Sequence, residues 1–342
     1  MSVKSWKKAI LLFTVAVMLT SCAAGEEPER ICAVSAVGFD AVGDRIRVSV
    51  EVPLVRETNA DEGLKTAVFS GEGETVREAL GELTSGLSKR LVFSHCALMA
   101  LGEDLSRARL TEAFEFADTG LYLPLAARVV STPSAKELLE SGSLASPAVG
   151  YEVGEILESE FALLGIAPAG RIYELRASAK SGDAVSLPYV RIGEDGSGHS
   201  CSLVGMQILI PNAPPILLDR AESVYYAVLS DFFVGGNGQA GGFWDGRIRR
   251  VRSELSEEIG DGGRTLTLSV LLKTDARMAA EERDALSRTL QSGCESLYRR
   301  LREEIAADVC GFGKRLSTGA VSYANTELRV ICMVESGRGG RA

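Results

Sequence analysis

Histidine is nearly absent from this chain, with two in 342 residues, and none of the seven cysteines stands in a CxxC or CxxxC spacing. Zinc knuckles and redox dithiols therefore have no signature here. No serine sits in a GxSxG elbow, so the common hydrolase nucleophile turn is missing. Past residue 19 no run approaches the roughly 20 apolar residues that a spanning helix needs. Basic residues are also short: 37 Lys and Arg stand against 46 Asp and Glu. This balance argues against nucleic acid or anionic lipid as a broad partner surface. No internal repeat or long low-complexity segment occurs.

The amino terminus carries a clear pattern. Lys4, Lys7 and Lys8 precede an uncharged apolar core from Ala9 to Leu19, the layout of a targeting signal at residues 1–21. The core ends in Leu19-Thr20-Ser21-Cys22, which resembles the lipobox of bacterial lipoproteins and makes Cys22 the expected lipidation site. Two acyl chains at roughly 0.8 kcal/mol per buried methylene suffice for stable anchoring. Without the three leader lysines, 34 basic residues face 46 acidic ones, a net charge near −12.

Residues 22–30 read as an acidic linker. "ICAVSAVGF" (31–39) reads as a buried strand, and the alternation in "RIRVSVEVPLV" after Gly43-Asp44 makes the pair a hairpin. Thr75-x-x-Glu78 is a capping box that opens a helix through Leu87. Residues 91–101 are apolar enough for a strand covered on both faces, and a helix burying Leu110, Ala113, Phe114 and Ala117 follows. "LAARVV" is a further strand, with Thr132-Pro133 as the start of a short helix. Two helices are marked by Val153, Ile156 and Leu157 and by Ile172 and Leu175. Pro188 places "AVSLPYVRI" at a sheet edge.

The turn cluster "GEDGSGHS" divides the chain into halves at 31–195 and 196–336, with a disordered tail at 337–342. In the second half Asp219-x-x-Glu222 caps a helix whose stripe runs to Phe233. Residues 247–259 are ambiguous between helix and strand. "TLTLSVLLK" alternates as a strand, Leu286 to Ile305 mark the longest helix, and "ELRVICMV" closes as a strand. The expected class is mixed: α+β or mixed α/β in more than one domain, each a mostly antiparallel or mixed sheet packed with helices.

Candidate chemistry is sparse. His95 and Cys96 are adjacent in "VFSHCALMALGEDL", and on a strand they would face opposite ways, so a nucleophile and base pair is not expected. His95 is read as structural and Cys96 as a buried thiol; His199, the other histidine, is about a hundred residues away. Gly71-x-Gly73 and Gly311-x-Gly313 are not placed between a strand and a helix as a phosphate cradle requires. Glu281-Glu282 and Glu303-Glu304 read as solvated helix faces. No catalytic, metal or cofactor site is expected. The pairing of Cys32, Cys96, Cys201, Cys294, Cys310 and Cys332 stays open between disulfides and buried thiols.

Two stretches resemble a known family. "RLVFSHCALMALGEDLSR" (90–107) and "REEIAADVCGFGKRL" (302–316) are similar to the amino- and carboxy-terminal signatures of the Ger(x)C family, the lipoprotein C subunit of spore germinant receptors. "ERICAVSAVGFD", "GETVREAL" and "SLPYVRI" support the match. Ala23-Ala24 departs from the family's Trp-Asp after the lipidated cysteine, and the segment after "GFG" is short and lacks Trp. The resemblance implies a non-enzymatic subunit held by lipid on the outer face of the spore's inner membrane. It implies nutrient sensing beside two membrane-embedded partners, the A and B subunits, and favours a strand for 247–259. Beside the resemblance, Asp308 reads as capping or turning the end of the long helix, and Gly311 and Gly313 as allowing positive φ around a buried Phe312, a packing device. The rivals are a ligand-binding lipoprotein of a transporter and an exported hydrolase.

Overall fold

The computed structural model describes residues 30–54, 65–118, 123–142, 146, 148–167, 170–181, 183–194, 199–210, 213–236, 248–260, 263–274, 278–305, 307–317 and 321–336. The leader, Cys22 and the tail after 336 lie outside the described residues.

Thirteen described strands form three sheets. A short parallel pair joins β1 (Ile31–Ala33) to β5 (Arg90–Val92). The main sheet has eight strands in the order β10 (Ile216–Asp219), β9 (His199–Leu209), β8 (Val185–Glu194), β7 (Arg128–Thr132), β6 (Leu98–Gly102), β2 (Ala36–Val42), β3 (Arg45–Leu54) and β4 (Lys65–Gly73). The third sheet pairs β11 (Ile248–Gly260) antiparallel with β12 (Gly263–Thr274), and β12 parallel with β13 (Thr326–Ser336). The class is mixed α and β, as the alternating pattern predicts, and the described part of the ambiguous segment at 247–259, from Ile248 on, is the strand β11.

Neighbouring side chains of the central strands point to opposite faces, which creates two cores. On one face Val37, Phe39, Met99, Leu101 and Val129 pack beneath helices α1 (Val76–Ser85), α2 (Arg107–Asp118) and α5 (Ile172–Ser181). On the other, Ala36, Leu98, Ala100 and Val130 meet α3 (Ala135–Glu140), α4 (Val149–Leu164) and α6 (Arg220–Leu229). This second core runs without a break to α7 (Ala280–Glu304), whose Leu286, Leu290, Cys294, Leu297 and Leu301 lie on one stripe, and to Leu266, Leu268 and Val270 of β12. The division at 195/196 falls inside the β8–β9 hairpin, where Glu194 pairs with His199. The eight-stranded sheet therefore draws strands from both sequence halves.

Several local readings change. Residues 31–39 are two strands broken at Val34-Ser35, and 91–101 are β5 and β6 separated by a turn. Thr132 ends β7, and Ser134 is the N-cap of α3, its hydroxyl accepting Glu137 N at 3.2 Å. Helix α6 stops at Leu229 and Phe233 pairs with Ile166 beyond it. The Asp219–Glu222 box is present: Asp219 Oδ1 accepts Glu222 N at 2.8 Å. Pro188 lies inside the sheet rather than at its edge. It can donate no hydrogen bond, and at that level β7 bonds elsewhere: Val129 N donates to Gly170 O at 2.6 Å and Arg128 bridges Arg171.

Candidate functional site

His95 and Cys96 sit in the turn between β5 and β6. Cys96 N donates to Phe93 O at 2.9 Å, and the two side chains part because the turn leaves His95 exposed while Cys96 is buried. Separation by strand alternation is therefore not the reason, and His95 is not a core histidine. The Cys96 thiol donates to Leu98 O at 3.3 Å, and burial pushes it up to about 12. A thiol held so far from ionisation is a poor nucleophile. His199 opens β9. Cys32, Cys96, Cys201, Cys294, Cys310 and Cys332 are all free. Among the described residues, no three His, Cys, Asp or Glu side chains converge as metal ligands.

Gly71-x-Gly73 does lie between a strand and a helix, contrary to the expectation, yet it leaves no room for a phosphate, whereas Gly311-x-Gly313 follows the long helix and not a strand, as expected. Gly71 and Gly73 end β4 just before α1. A Cβ on Gly71 would lie 2.3 Å from Ala79 O, and one on Gly73 2.4 Å from Ala79 N, so the helix backbone rests directly on the strand. The α1 amino terminus is already filled, since Thr75 Oγ1 accepts Glu78 N at 3.2 Å and Glu112 Oε1 accepts Val76 N at 2.6 Å. Of the acidic pairs, Glu282 accepts Ala279 N at 2.8 Å and Glu304 pairs with Arg300 at 3.0 Å.

Two buried carboxylates that sequence reasoning missed dominate the main sheet. Asp40, two residues before the end of β2, accepts Ala135 N at 2.6 Å and Lys136 N at 2.9 Å, the first turn of α3. Glu51 in β3, fully buried, accepts Val149 N at 2.8 Å, Gly150 N at 3.2 Å and the Ser35 hydroxyl at 2.7 Å, at the start of α4. Burial raises both carboxyl groups despite these donors. In an open α/β sheet, the strand ends facing helix amino termini are where anionic ligands settle. Here the chain's own carboxylates occupy α3 and α4. The only sequence signal was an acid at one position in each apolar strand.

A third polar knot lies after the long helix. Asp308 Oδ1 accepts Phe312 N at 2.9 Å and the Tyr323 hydroxyl at 3.1 Å, while Oδ2 accepts Gly313 N at 2.7 Å and Val321 N at 3.4 Å. Tyr323 in turn accepts Cys310 N at 2.9 Å. Gly311 has φ +69°, which lets the chain turn sharply into α8 (Phe312–Leu316). Phe312, fully buried, stacks with Tyr298 and Tyr323 at centroid distances of 6.1 and 5.9 Å. The "GFG" stretch thus packs the crossover from α7 to β13, as the residues themselves predict, although Asp308 caps α8 rather than α7, and Gly313 lies inside the helix without a positive φ.

Comparison with known proteins agrees with these motifs. Residues 25–192 match a family model described as spore germination protein N-terminal domain. The chain is 29% identical over 147 residues to the putative spore germination protein YfkR of Bacillus subtilis (strain 168), covering 40% of this chain and 38% of that one. The match thus spans well under half of that relative. Its fold resembles the crystal structure of the GerBC protein with a TM-score of 0.53 at 12% identity, over 88% of this chain and 96% of that chain. At that identity the likeness concerns the fold. The germination-domain match, with the curated relative and the shared fold beside it, supports a GerC-family spore germination protein.

Proposed function

We propose that this protein is the lipid-anchored C subunit of a nutrient germinant receptor, acting in spore germination by docking to the membrane-embedded A and B subunits rather than by catalysis. The observation that carries this reading is the germination-domain match over residues 25–192. The internal commitment of Asp40 and Glu51 to helix starts supports a scaffolding role. The anchor reading rests on Leu19-Thr20-Ser21-Cys22, and would hold the body on the outer face of the spore's inner membrane. Among the described residues no helix is long and apolar enough to cross a membrane. Tethering confines the body to a thin layer, where weak contacts with embedded partners become effectively intramolecular.

Spores carrying Cys22→Ala test this directly. The variant should lose labelled palmitate, leave the membrane fraction, and block or slow the response to the nutrient its receptor serves, with sporulation intact. Normal germination of a deletion strain across a broad panel of amino acids and sugars, with no paralogue compensating, would sink the proposal and return weight to a transporter lipoprotein.

A further inference from the structure

Strands β2, β6 and β7 begin in register at Ala36, Leu98 and Arg128. The described chain enters the fold at this end: Val34 N donates to Val92 O at 2.9 Å and Ala97 N to Ser35 O at 2.8 Å. Among the described residues before Leu217, the exposed large hydrophobic side chains are Leu125 at 45%, Tyr151 at 38% and Tyr173 at 52%. All three lie at this same end. Leu125 precedes β7 by three residues and its carbonyl accepts Tyr173 N at 3.1 Å, at the start of α5. Tyr151, in the first turn of α4, donates its hydroxyl to His95 O at 3.3 Å. Beside β1 a groove of ≈ 670 Å³ is lined by Leu80, Leu87 and Leu91 with Lys89 and Arg90. Glu158 at this end is held by Arg128 at 2.7 Å.

We infer that this rim rests on the lipid surface, with Leu125, Tyr151 and Tyr173 entering the interfacial layer and Lys89 and Arg90 facing anionic headgroups. The inference rests on the anchor reading above. Cys22 precedes Ile31 by nine residues, and at about 3.3–3.6 Å per residue that linker reaches at most about 30 Å. The entry end is therefore kept near the bilayer. Tyrosine suits such a layer because its ring is apolar and its hydroxyl stays wet. The opposite end is marked by exposed Val234, which donates to Gly165 O at 2.8 Å past the carboxyl end of α4. A 16-residue helix separates the two ends by about 24 Å.

The test uses the lipid-modified full chain on phosphatidylglycerol and phosphatidylethanolamine vesicles with brominated acyl chains. Tryptophan is introduced by Tyr173→Trp or by Val234→Trp, and the parent chain's fluorescence is subtracted. Bromolipid should quench the residue at 173 at least twofold more than the one at 234. Because tryptophan itself favours interfaces, amide hydrogen exchange is read on the unsubstituted chain. It should slow on vesicle binding over 93–97 and 123–127 and stay unchanged over 230–236. Equal quenching with uniform exchange in a vesicle-bound chain overturns this inference and leaves the anchor standing. Failure to float with vesicles removes both. Protection of the rim only in spore membranes that hold the other subunits would assign it to a protein partner, which also overturns the proposal.

Discussion

Asp308→Asn isolates what the carboxylate does in the knot that closes the second half. The carboxylate offers two oxygens to four donors, two on each. Asparagine keeps the shape but turns one oxygen into an NH₂ group that accepts nothing. If the remaining oxygen faces Gly313 and Val321, the Tyr323 hydroxyl can rotate, but Phe312 N loses its acceptor beside a fully buried ring. The opposite orientation strands the Gly313 and Val321 amides. The best case is one orphaned amide, costing about 1–3 kcal/mol. Asp308→Ala strands the Phe312, Gly313 and Val321 amides together, so about 3–9 kcal/mol is expected from the same principle. Urea unfolding of the full chain should show this order, wild type above Asn above Ala, with unchanged m-values. An Asn variant within about 0.5 kcal/mol of wild type, the usual scatter of surface changes, would refute the argument that both oxygens are needed.

The two glycines of the α1 region should respond oppositely. Gly71→Ala forces a Cβ into the α1 backbone and should cost at least about 1–3 kcal/mol, whereas Gly81→Ala, in open space on α1, should stabilise by about 0.5–1 kcal/mol; thermal melts compare them. Asp40 and Glu51 are raised by burial, so the folded state binds their protons more tightly than the unfolded chain. Their contribution is then full below the ordinary carboxylate range and is lost as pH rises through their folded values. A double Asp40→Asn, Glu51→Gln variant should flatten that limb of a melting-temperature profile, and an unchanged slope would contradict it. Burial lifts the Cys96 and Cys310 thiols to about 12, so in the native protein iodoacetamide at pH 8 should modify partly exposed Cys32 first, with Cys96 and Cys310 reacting only on denaturation; mass spectrometry reads the order.

Much of this fold is legible in the chain itself. The Asp219–Glu222 box, the stripe from Leu286 to Leu301 and the strict alternation of β12 each depend on residues within one or two turns of each other. Their pattern therefore survives without knowledge of the rest. The "GFG" stretch was legible for the same reason, since Asp308 and Phe312 are four residues apart. What lay beyond reach were contacts between distant segments. Pro188 reads as an edge residue until residues 170–171 are seen bonding to β7 at its level. The Gly71-x-Gly73 pair has no strand before it until β4 pairs with β3, and only then is α1 seen to rest on its backbone. Asp40 and Glu51 look like stray acids in apolar strands, because the amides they cap lie 95 to 99 residues later. Local periodicity is set by neighbours along the chain, whereas a cap across 99 residues exists only once the sheet has chosen which strands and helices lie side by side.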